Sequence, residues 1–111
     1  MTVLTNLEKL LDGPRDNALL RYSIGAEYLK AGDAARAAEY FRSAVAKNPD
    51  YSAAWKLLGK ALAESGQTDE ALHAYRRGIE VAQARGDVQA AKEMHVFARR
   101  LEKTLGADGT R

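Results

Sequence analysis

The chain carries two histidines, His73 and His95, and no cysteine. Imidazoles this far apart, with an expected turn between them, lack the spacing that puts two nitrogens of one helix face on a metal. No serine stands with a nearby base and a third group to orient that base. His73 therefore reads as a surface residue and His95 as a packed or half-buried one. The carboxylates Asp69-Glu70 fall at an expected helix start, where they complement the free amides of the first turn. Glycines 25, 32, 59, 66, 78 and 86 are too dispersed to form a phosphate-cradling loop. No enzymatic activity, cofactor or metal is expected. Lys56 and Lys60, one helical turn apart, form a pair able to face a single acidic group. Arg76-Arg77 and Arg99-Arg100-Lys103 are basic, but nearby Glu residues balance them and no aromatic residue interleaves, so a nucleic-acid partner is not expected. Arg85-Gly86-Asp87 spells an adhesion tripeptide, but its Gly-Asp is already explained as a turn and a helix cap.

The elements that position these residues follow from a repeat. Gly25 and Gly59 are separated by the same interval as Tyr28 and Leu62, Gly32 and Gly66, Ala37 and Ala71, and Phe41 and Tyr75. A fixed period of about 34 residues is the signature of a helix-turn-helix array. The 111 residues suffice for one modest core, and abundant Ala and Leu with only two prolines favour helix throughout. Seventeen basic and 15 acidic residues leave a formal net charge of +2, mixed along the length. The stretch from Met1 to Gly13 has neither a basic start nor a continuous apolar run, so no signal peptide or membrane span is expected and the cytoplasm is the default location.

In chain order, Thr5-Asn6-Leu7-Glu8 has the form of a capping box and opens a short helix over 3–12, ended by Asp12-Gly13-Pro14. A first repeat spans 18–51, capped by Asp16 or Asn17. Its first helix carries Leu20, Ile24 and Tyr28 on one stripe, and its second carries Ala37, Phe41, Ala44 and Val45. A second repeat spans 52–85. Its first helix holds Trp55, Leu58, Gly59 and Leu62; its second, with Thr68 or Asp69 as cap, holds Ala71, Leu72, Tyr75 and Ile79 and continues to Ala84 or Arg85 because Gln83 stands where Pro49 closed the repeat before. A capping helix over 87–105, started by Asp87, places Val88, Ala91, His95, Ala98, Leu101 and Leu105 inward. Residues 106–111 have nothing to bury and are expected to be disordered. One domain over 1–105 results.

Arg21-x-x-Ile24-Gly25-x-x-Tyr28 with Ala37, Phe41, Ala44 and Pro49, and Trp55-x-x-Leu58-Gly59-x-x-Leu62 with Ala71 and Tyr75, resemble the tetratricopeptide repeat. The chain as a whole looks like a small stand-alone bacterial protein of that family. It departs from the pattern at Arg21, where tryptophan is usual, at Gly78 for an alanine and at Gln83 for a proline. The resemblance implies an all-α, right-handed superhelix of antiparallel helix pairs: two full repeats between an N-terminal half-repeat helix and a C-terminal capping helix.

It also implies a non-enzymatic interaction module that holds a peptide or partner segment in a concave groove lined by the first helix of each repeat. The residues facing that groove would be Leu19, Tyr22, Ala26 and Leu29, then Ala53, Lys56, Lys60 and Ala63. The family's carboxylate clamp wants Lys and Asn where Tyr22 and Ala26 stand, and Asn where Leu57 stands, so grip on a chain's C-terminal carboxylate is not expected. A second expectation belongs to a different class. Met94, Val96 and Phe97, on the side of the last helix away from Ala91 and Ala98, would form an apolar end surface for a weak homodimer.

Overall fold

The computed structural model describes residues 2–107. Among them lie six helices and no strand: α1 (Val3–Glu8), α2 (Ala18–Lys30), α3 (Ala34–Lys47), α4 (Ser52–Glu64), α5 (Thr68–Ala84) and α6 (Val88–Ala107). Each packs on the next in the chain. In addition α2 meets α4 and α4 meets α6, whereas α3 and α5 make no comparable approach. Thus α2, α4 and α6 form a closely spaced inner layer with α1, α3 and α5 outside it, and the difference in spacing curves the stack into a right-handed superhelix.

The caps explain where most helices begin. Asn17, Asp33 and Asp87 each accept from the amide three positions on, at 2.8 Å, 3.0 Å and 3.1 Å. Gly32 and Gly86 take the left-handed conformation (φ +87° and +77°), which lets Asp33 N–H reach the Tyr28 carbonyl at 2.9 Å and Asp87 N–H the Ala82 carbonyl at 2.8 Å, closing the helix ahead. Two caps differ from expectation. At the chain start the cap is Thr2, whose hydroxyl accepts from Thr5 N–H at 3.1 Å, and Glu8 turns away to accept from the Tyr28 hydroxyl at 2.6 Å. The helix there ends at Glu8, short of residue 12, because Leu10 and Leu11 tighten to i→i−3 hydrogen bonds and Asp12 turns left-handed (φ 63°). The cap of α5 is Gln67, with no side-chain bond; Thr68 and Asp69 already lie in the first turn.

The stack is held by glycine notches. A methyl group on Gly25 would lie 2.8 Å from the Phe41 ring, and one on Gly59 would lie 2.6 Å from the Tyr75 ring. Each inner helix therefore admits an aromatic ring from its outer partner, at the same sequence interval in both repeats. Glycine in a helix costs about 1 kcal/mol relative to alanine, a cost the inserted ring offsets by burial. A third joint has the same interval. Gly78 of α5 receives Met94 of α6, where an added methyl would meet the Met94 sulfur at 2.5 Å and Trp55 Cβ at 2.8 Å.

That joint corrects the reading of the last helix. Met94 is fully buried, and it lies with Ala91 and Ala98 on the packed side. Phe97 is half-buried with its ring 5.6 Å from Tyr75, so of the expected apolar end surface only Val96 stays exposed. His95 and Val88, assigned inward, are exposed, while His73 is exposed as expected. The helix runs through residues 106 and 107, and the rest of the expected disordered tail, 108–111, lies outside the described residues.

Candidate functional site: the inner face of the stack

α2, α4 and α6 line the concave side. The structure brings Ala26 and Leu29 of α2 together with Leu57 and Lys60 of α4 around one recess, bordered by Lys30 and Glu64. At the opposite end Tyr22 lies against the Tyr51 ring, centroids 4.9 Å apart, and against Phe41 at 5.8 Å. Leu19 beyond it is 61% exposed. Burial and the neighbouring Tyr22 raise the Tyr51 hydroxyl above its ordinary value, so this phenol stays neutral at physiological pH. Ala53 lies near Tyr51 where the α3–α4 and α5–α6 loops approach, and there Arg85 donates to the Asp50 carbonyl at 3.2 Å. Ala63 is half-buried against the core at the far end of α4.

The two lysines have different surroundings. Lys56 donates to Glu93 of α6 at 2.9 Å. This bond, joined by one from Gln89, holds the Glu93 carboxyl below its usual range. Lys60 is exposed and makes no ion pair among the described residues. The anion-facing capacity of the pair therefore centres on Lys60. Tyr51, Leu57 and Glu93 also belong to this face. The first two precede or follow residues already placed there; Glu93 is one repeat period after Gly59, whose position faces the outer helix, so the period gives no signal for its place beside Lys56.

On the outer side a polar cluster anchors the chain start. Asp16 accepts from Arg21 Nε at 2.9 Å and from Asp12 N–H at 2.8 Å, and the guanidinium holds the Asp16 carboxyl well below the ordinary carboxylate range. The Tyr28 ring stacks on Tyr40 at 5.6 Å with the Arg36 guanidinium 5.4 Å away, and the Glu8 carboxylate raises its hydroxyl above the usual value. Among the described residues no group of three His, Asp or Glu side chains is placed to hold a metal, and no helix is long and apolar enough to cross a membrane.

Helix pairs joined at glycine notches, with a long inner face and no cluster of reacting groups along it, define a class of protein: a scaffold of stacked helical repeats. The matches agree. A tetratricopeptide-repeat profile fits residues 28–94. A TPR repeat-containing protein of Pseudomonas aeruginosa is 48% identical over 101 residues, which cover 91% of this chain and 96% of that one. The solution structure of a Bordetella parapertussis protein superposes with a TM-score of 0.80 at 38% identity, covering 94% of this chain and 90% of the other. A tetratricopeptide repeat domain protein of Salinibacter ruber gives a TM-score of 0.73 at 33% identity, covering 83% and 92%. The chain belongs to the tetratricopeptide repeat family, whose members generally mediate protein–protein interaction.

Proposed function

We propose that this protein is a non-enzymatic adaptor whose concave face takes up a segment of another protein. The observation that carries the proposal is the row of half-buried or exposed apolar groups along that face, Leu19, Tyr22, Ala26, Leu29 and Leu57, which ends beside a cation without an ion-pair partner among the described residues, Lys60. Apolar surface of this kind stabilises a complex when a partner covers it, and a few placed polar groups set the register. The Tyr22–Tyr51 shelf suits an apolar side chain, and Lys60 suits a carboxylate further along the groove. Between them the Lys56–Glu93 pair presents a charge that is already balanced. The partner is then a short segment with an apolar residue toward one end and an acidic residue toward the other. Two full repeats bury a limited length of it, so affinity is modest.

The test is to select binders from a displayed random-peptide library and map them by amide chemical-shift perturbation. The expected outcome is shifts confined to the inner faces of α2, α4 and α6, with Lys60→Glu weakening acidic peptides roughly five- to tenfold, the effect of one partly exposed charge contact. Peptides that map to the outer layer, or that are indifferent to Lys60→Glu, contradict the proposal.

A further inference from the structure

Both acidic side chains of α6 are engaged by the stack: Glu93 by Lys56 at 2.9 Å and Glu102 by Arg76 at 2.7 Å. Three of the basic ones point away from it. Lys92, Arg99 and Lys103 are exposed and make no ion pair among the described residues. Together with Val96, 48% exposed, they fall at steps of four, three and four along the chain, which is one stripe of a helix. The stripe has an apolar centre and a cationic border.

A surface of complementary character lies elsewhere on the same molecule. Where α3 and α5 stand apart in the outer layer, a cleft of about 480 Å³ opens, with Val45, Trp55, Leu58 and Leu62 among its lining. The Arg42–Glu70 ion pair at 2.7 Å bridges it and neutralises one rim carboxylate. Asp69, also on the rim, is exposed and has no ion pair among the described residues. An apolar cleft with one uncompensated anion at its edge fits an apolar side chain flanked by cations, which is what the α6 stripe presents.

We infer that the outward stripe of α6 docks into this cleft on a second copy of the chain, with Val96 as the plug and its flanking cations against Asp69. Both surfaces belong to one molecule, so the contact either closes reciprocally into a two-fold dimer or continues as a chain. With one small apolar plug and a few solvent-screened charges, association is weak and sensitive to salt.

Sedimentation of the full chain from micromolar to near-millimolar concentration, in low and high salt, tests this directly. The sole tryptophan, Trp55, lines the cleft and supplies a second readout. The expected result is a weight-average mass rising well above that of one chain in low salt, a fall in high salt, and a blue shift of tryptophan emission over the same concentration range. Val96→Asp and Asp69→Lys should each weaken association tenfold or more without loss of helical circular dichroism. Mixing Asp69→Lys protein with Arg99→Asp protein should restore it in part, which neither variant shows alone. The inference is overturned by a monomer throughout, by association that both variants leave unchanged, by association without the tryptophan shift, or by a monomer whose stripe binds nucleic acid instead.

Discussion

The two flanking helices of the stack are attached by different physics. α1 has six residues, none of them fully buried; Leu4 and Leu7 are half-buried, the Glu8–Tyr28 hydrogen bond ties it to α2, and the Asp12–Asp16–Arg21 cluster fixes the turn that follows it. α6 has 20 residues and inserts Met94 into the Gly78 notch, with Ala91 and Ala98 buried beside it. Polar contacts at a surface exchange water for protein at little net gain, whereas a fully buried thioether forfeits both transfer energy and packing when removed. Structurally, α6 is thus a third inner helix of the array, while α1 is an accessory laid over its outer end.

Variants that separate these two modes of attachment fall in order of size. Met94→Ala should destabilise by about 2–5 kcal/mol in urea unfolding, because the notch at Gly78 becomes a cavity. Gly59→Leu should cost roughly 1–3 kcal/mol, since the Tyr75 ring occupies the space its side chain needs. An unchanged melting temperature in that variant would show that the notch is open. Tyr28→Phe removes the hydroxyl that holds Glu8 and should cost under about 1 kcal/mol, with faster amide exchange confined to α1. The smallest effect is electrostatic. Asp16 has its folded pKa depressed by Arg21, so its contribution is fully present above the unfolded value of about 3.9 and is lost as pH falls from there through the folded value. Acidification into that range should loosen the α1–α2 junction before the core, as read by amide chemical shifts, and Asp16→Asn should abolish the pH dependence.

The repeat made the fold legible. Pairs such as Gly25 with Gly59 and Phe41 with Tyr75 report a shared packing problem solved twice, which a periodicity captures without coordinates. The last helix was harder to read, for a geometric reason. Ala91 and Ala98 are one heptad apart, and both 91-94-98 and 91-95-98 trace acceptable helical stripes, so spacing alone does not choose Met94 over His95. The signal that does is the constant interval from notch to knob, shared by Gly25–Phe41, Gly59–Tyr75 and Gly78–Met94. For the candidate site, the sequence offers a set of inner-face positions but not the state of their side chains. The inner-face residues follow from the family register, but that Lys56 is engaged by Glu93 while Lys60 is not depends on how α6 crosses α4, which no local pattern encodes.

Native-state hydrogen exchange of the unmodified chain decides whether α6 belongs to the body of the array, because it ranks the opening free energy of each helix. If α6 is part of the cooperative unit, amides around Met94 and Ala98 will exchange with the same free energy and denaturant dependence as those around Leu58 and Tyr75, while α1 exchanges far faster. An α6 that opens by itself at low free energy, as α1 does, would contradict this assignment.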